Sequence, residues 1–157
     1  MAAKRKTWIE KFQSKEDLPK IIRLDEQQRK KYKAETMLVP SPEMVYDLMR
    51  IIPAGKIITV KEIREILAAE NGSDVTCPLA TGIFIWIAAN ASVEMYEKGL
   101  TDWVIPYWRT LKRFGELVSK YPGGIEAQRR QLEAEGIPVI VKGKRVYVKD
   151  YEKFLFH

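Results

Sequence analysis

Residues 52–62 read I-P-A-G-K-I-I-T-V-K-E, and this short stretch carries the end of one helix, a turn and the start of another. Upstream, Ser41-Pro42 offers an N-cap followed by proline at the first helical position, where its missing N–H costs nothing. Met44, Val45, Leu48, Met49 and Ile52 then fall on one helical face. Pro53-Ala54-Gly55 is turn chemistry that stops this helix. Ile57 and Ile58 read as a short extended piece. Thr59-Val60-Lys61-Glu62 has the spacing of a capping box opening a second helix, whose buried stripe is Ile63, Ile66 and Leu67.

Downstream, Asn71-Gly72-Ser73-Asp74 is a turn, and Thr76 is a candidate cap for a third helix with Pro78 in its first turn. Two helices separated by a turn, the second more apolar, make a helix-turn-helix candidate. The same pair packs as core in many unrelated folds. Val104-Ile105, Thr110-Leu111 and Leu117-Val118, around the tight Arg113-Phe114-Gly115-Glu116, predict short strands and a wing-like hairpin. Pro122-Gly123-Gly124 breaks the chain before a last main helix over 125–135, which Gly136 ends in the C′ position. Residues 139–141 and 146–148 flank Lys142-Gly143-Lys144 as a β-hairpin, with Asp150 a candidate cap for a terminal helical turn. Residues 1–40 show no long periodic stretch and are expected to be an extended basic arm with a short helix near Trp8, packed on a body formed by 41–157. The fold expected is α+β, mainly helical: a winged helix-turn-helix domain with short strands.

Composition limits the function classes. With 157 residues, 46% of them hydrophobic, the chain can bury one core of ordinary size. A single cysteine, Cys77, excludes an internal disulfide, and a single histidine, His157, leaves no Cys/His cluster with metal spacing. No metal and no cofactor are expected. The start M-A-A-K-R-K-T-W has no apolar run behind its charges, so a cytoplasmic protein is expected. The stretch Cys77–Ser92, within the uncharged run between Asp74 and Glu94, is shorter than the roughly 20 residues a membrane span needs and reads as a buried helix. The net charge of +6 is uneven: 11 basic against 6 acidic groups over 1–40, 5 against 8 over 41–100, and 11 against 7 over 101–157. An excess of cations at both ends favours a polyanionic partner.

Several motifs, in order along the chain, resemble one family. Ile52-Pro53-Ala54-Gly55-Lys56 followed by Thr59 is similar to the I-P-x-G-K-x-T-T-Y-G entry of alkylguanine-DNA alkyltransferases. Ala80-Thr81-Gly82 resembles that family's R-A-V-G, and Pro106-Tyr107-Trp108-Arg109 stands in the place of its P-C-H-R. Gly115, Tyr121, Gly123, Gly124 and the stretch Q-R-R-Q-L-E-A-E-G over 128–136 resemble its C-terminal motif. The resemblance covers about residues 44–137. It implies a helix-turn-helix that enters the minor groove of double-stranded DNA and flips out an alkylated guanine.

In the family a cysteine thiolate takes the alkyl group, a histidine removes its proton through water and a glutamate orients the histidine. By resemblance the cysteine position is Tyr107, the histidine position is Trp108, and only the glutamate is matched, by Glu135. A phenol is a poor nucleophile at pH 7 and an indole accepts no proton. The resemblance therefore points away from an enzyme, toward the alkyltransferase-like proteins, which bind alkylated guanine without repairing it and recruit repair proteins. Pro106, Tyr107, Trp108, Arg109, Tyr121, Gly123 and Gly124 are its candidate pocket, where aromatic faces could stack on a flipped base. The bland reading is that Tyr107 and Trp108 fill the volume the lost chemistry left.

The candidate DNA-binding residues are Lys56, Thr59, Val60, Lys61, Leu79, Ala80, Thr81, Gly82, Lys112 and Arg113. Two departures stand among them: Val60 replaces the family's nucleotide-rotating tyrosine, and Leu79 its stack-filling arginine. Two alternatives stay open. One is an alkyltransferase with its nucleophile relocated to Cys77, although a lone cysteine before an apolar helix is usually a small buried hydrophobe. The other is the same fold retained for protein interaction.

Overall fold

A computed structural model of the chain describes residues 6–14 and 17–157. Helix α1 (Trp8–Gln13) precedes a three-stranded sheet, in which β1 (Lys20–Arg23) runs antiparallel to β2 (Thr36–Val39) with α2 (Glu26–Tyr32) between them. The described residues between 17 and 40 thus form strands and a helix where an extended arm was expected. Asp25 caps α2 with a full capping box, and Asp74 accepts the amides of Glu35 and Thr36, which closes the segment into a folded unit.

Helix α3 (Pro42–Arg50) begins as its sequence dictates, with the Ser41 hydroxyl accepting the Met44 amide at 3.3 Å. After the turn come β3 (Ile58–Thr59), α4 (Val60–Glu70), β4 (Val75–Thr76) and α5 (Pro78–Glu97). The expected capping box is not formed. The Thr59 hydroxyl bonds the Glu62 carboxylate, and neither side chain caps a backbone amide. The cap of α5 is Cys77 rather than Thr76: Thr76 is held in β4, pairing with β2, and its hydroxyl donates to the Arg64 carbonyl at 2.7 Å. Helix α5 is long and apolar enough to cross a membrane by composition, yet half of that stretch is buried inside the fold. It packs against α1, α3 and α4.

The chain then forms β5 (Thr110–Leu111), α6 (Gly124–Ala134) and the hairpin β6 (Val139–Lys142) and β7 (Arg145–Val148). Gly136 ends α6 at φ 81°. The wing-like hairpin around Arg113–Glu116 is built differently from expectation. Strand β5 pairs in parallel with β3, while the Leu117 amide donates to Val146 on the C-terminal hairpin. Among the described residues two apolar clusters hold the fold, one centred on α3, α4 and α5, the other on Ile57, Leu111, Leu117, Leu132, Ile137 and Val148.

Candidate nucleic-acid interface

Residues 106–109 lie where the two clusters meet. Tyr107–Arg109 form one 3-10 turn before β5, and this turn aims its aromatics in different directions. Tyr107 packs on the α3–α5 cluster and Trp108 on the second one, with their rings edge-to-face at 5.5 Å. Tyr107 also meets Tyr121 edge-to-face at 5.4 Å and donates to the Pro122 carbonyl at 3.4 Å. Tyr121 is buried and donates to the Thr110 carbonyl at 2.8 Å. Burial raises the pKa of both phenols, that of Tyr121 further through its neighbour Tyr107, so both are neutral at pH 7. Gly123 and Gly124, at φ 81° and 70°, make the turn that follows; a Cβ on Gly123 would lie 2.6 Å from that of Ala127.

Glu135, at the end of α6, is a junction of donors. Trp108 Nε1 reaches Oε2 at 2.8 Å, Arg109 Nη2 reaches it at 2.8 Å, Arg109 Nε lies 2.9 Å from Oε1, and the Gly55 amide donates to Oε1 at 3.0 Å. Arg109 Nη1 donates to the Ile52 carbonyl at 2.7 Å. Burial alone would raise the Glu135 pKa, but the bonds from Arg109, Gly55 and Trp108 outweigh it and hold the carboxyl below its ordinary value. The buried Gln128 adds a second tie, accepting from Val118 N at 2.7 Å and donating to the Trp108 carbonyl at 3.1 Å. The I-P-A-G and P-Y-W-R stretches are therefore fastened to each other through one carboxylate. No proton acceptor faces a nucleophile here, because the indole N–H is committed to Glu135 and the phenol to a carbonyl.

The opening lies beside this plug. A cavity of about 440 Å³ is lined by Val60, Leu79, Gly82, Ile83, Trp86 and Tyr121, together with Pro78, Ile85, Val118, Ser119, Lys112 and Lys120. Of the seven candidate pocket residues, Tyr121 alone is on its wall, with Tyr107 packed against it; Pro106, Trp108, Arg109, Gly123 and Gly124 do not line the cavity. Leu79 is 72% exposed, and Gly82 presents open space where a Cβ would be. Thr59 and Thr81 are buried, Thr81 donating to the Cys77 carbonyl, so neither reaches a partner as expected. Ala80 is packed against the first cluster. Lys61 and Arg113 line a second, smaller depression with Arg64, Glu65 and Asp74, and Lys56 is exposed in the turn after α3. The Cys77 sulfur accepts the Ala80 amide at 3.5 Å and does not line the main cavity.

Sequence reasoning missed Pro78, Ile83, Ile85, Trp86, Val118, Ser119 and Lys120 on this wall, and Arg64 in the second depression. The spacing of Leu79, Ile83 and Trp86, i, i+4 and i+7, places them on one helical face and was the available signal. It was hidden because α5 is apolar on every side, leaving no amphipathic contrast to read.

The fold is shared with solved structures from S. pombe. One is Atl1 in complex with damaged DNA containing O6-carboxymethylguanine: TM-score 0.50, 21% identity, covering 74% of this chain and 94% of that one. Another is the S. pombe ATL in complex with DNA, with TM-score 0.53, 20% identity and the same coverages. No protein-family model and no curated protein matches the sequence. At these identities the likeness shows the architecture, an α+β fold with a helix-turn-helix pair.

Proposed function

We propose that this chain is a non-catalytic DNA-binding protein of DNA repair that recognises alkylated guanine by receiving the extruded base in the cavity at the start of α5. That cavity carries the reading. It is large enough to take one base, Trp86 offers part-exposed aromatic surface with the buried Tyr121 in the wall behind, and Lys112 and Lys120 stand in its wall to meet phosphates. The two S. pombe structures of this fold hold DNA, one of them with an O6-alkylated guanine. A base bound here is not dealkylated, since Tyr107 is a neutral phenol, Trp108 is bound to Glu135 and Cys77 is outside the cavity. Bound DNA of this kind would serve as a flag for repair proteins.

The test is titration of a fluorescent duplex with and without O6-methylguanine, followed by the intact mass of the protein. Tighter binding to the lesion with unchanged mass supports the reading, and a gain of one methyl group on Cys77 overturns it. The exposed apolar face of Leu79, Ile83 and Trp86 favours a second reading, a surface for a protein partner. Absence of binding to either duplex at low salt would decide for that one.

A further inference from the structure

The loop between β5 and Leu117 has a feature the fold does not need. Phe114 sits at φ 65°, ψ 13°, in the left-handed region that bulky residues avoid. The other described non-glycine residues with positive φ, Lys33 and Asp150, are polar and sit at helix caps. Phe114 is 61% exposed, so its ring adds little to either core. Glycine would adopt this backbone freely and lose almost no packing. The conformation is nonetheless enforced. The Gly115 amide donates to Lys112 O at 3.0 Å, Lys112 N donates to Glu116 O at 2.9 Å, and Gly115 lies so close to Tyr151 that a Cβ would be 2.6 Å from the Tyr151 Cβ. Glu116 is in turn bridged to Tyr147 on the C-terminal hairpin.

The turn is therefore rigid, and its three central side chains face solvent between depressions. Lys112 lines the cavity at the start of α5, Arg113 lines the depression on α4, and Phe114 lines a third beside Lys142 and Lys149. The Arg113 guanidinium lies over the Phe114 ring at 5.1 Å. A strained, preorganised aromatic set among cations matches the chemistry of a nucleic acid, which offers stacking faces between phosphates.

We infer that Phe114 is a stacking residue of the DNA interface: it wedges against a base step of the bound duplex while Lys112 and Arg113 hold the flanking phosphates. This rests on the DNA-binding reading above. It adds an aromatic contact outside the base cavity, supplied by a loop whose backbone strain is retained to present it.

The experiment compares the parent protein with Phe114→Ala, Phe114→Gly and Phe114→Trp on a duplex carrying 2-aminopurine, with thermal unfolding in parallel. The expected result is an affinity loss of about tenfold for F114A and F114G, near-parent affinity for F114W, and a 2-aminopurine fluorescence change that F114A lacks. F114G should also unfold at a temperature higher by about 2–4 °C, because it relieves the left-handed strain while weakening binding. A parent that binds DNA and an F114A that binds within twofold of it, with the same fluorescence change, would overturn this inference and leave the DNA-binding reading intact. A parent that binds no duplex at low salt would overturn both.

Discussion

Replacing Glu135 by alanine should destabilise the protein by roughly 3–5 kcal/mol, the cost of breaking a buried ion pair by removing one partner. Its side chain is 12% exposed and that of Arg109 14%, so water cannot fully replace the lost carboxylate. Truncation strands the Gly55 amide and the Trp108 indole N–H, at about 1 kcal/mol each for such half-buried donors. It also leaves the Arg109 guanidinium with the Ile52 carbonyl as its remaining partner at this site, which accounts for the rest. Urea unfolding at pH 7 measures the shift in midpoint, and an unchanged m-value shows that the same surface unfolds. Glu135→Gln adds a pH test. Because the folded carboxyl titrates below its ordinary 4.5, its contribution is complete above that value and lost as pH falls through the folded pKa. The parent should therefore lose stability in this acid range more steeply than E135Q. An apolar double replacement, Arg109→Met with Glu135→Leu, should cost less than E135A alone. A loss below about 1 kcal/mol in E135A, or equal acid slopes, would refute the view of Glu135 as the fastener between the two motifs.

Three further outcomes follow from single side chains. Thr110 Oγ1 is buried without a partner, so Thr110→Val, nearly isosteric, should raise stability by about 1 kcal/mol in the same unfolding assay. Gly115→Ala forces a Cβ against Tyr151 at φ 79° and should lower stability by about 2 kcal/mol; a neutral result would mean the loop is not pinned there. Leu79→Glu alters a residue 72% exposed and should leave stability within about 0.5 kcal/mol while weakening duplex binding at least tenfold, as measured by fluorescence anisotropy.

The helical frame was legible because its punctuation is local. Ser41-Pro42, Pro53-Ala54-Gly55 and Gly136 set helix ends through backbone rules that operate within a few residues. Expectations failed where long-range pairing decides. Thr76 looked like a cap but is taken by β2, and the loop after β5 joins a hairpin some thirty residues away rather than folding on itself. Residues 20–39 lacked a period because each element there spans four to seven residues, too short to show one. The site was legible in part through the family resemblance, which drew attention to Tyr107, Trp108 and Glu135, but only three-dimensional placement shows that Trp108 and Arg109 consume the carboxylate and that the opening lies beside them, against α5.

That displacement of the opening has a consequence for binding energetics. The cavity mouth, with Val60, Leu79, Ile83 and Trp86, is apolar, and the cations near it are few. Lys61 is paired with Glu65 at 3.7 Å, and Arg64 donates to the Thr76 carbonyl at 3.0 Å. Lys112, Arg113 and Lys120 are left as the cations best placed for phosphates. Three neutralised phosphates give a slope of log K against log salt near −3, so affinity should fall by only about 40-fold between 50 and 200 mM salt. Lys112→Gln should make the slope shallower by about 0.9 and weaken lesion and plain duplex alike, whereas Trp86→Ala should leave the slope unchanged and reduce the preference for the lesion. A slope of −6 or steeper would mean that cations far from the cavity, such as the basic residues of positions 1–40, hold the DNA, and that the apolar cavity is not where most of the affinity arises.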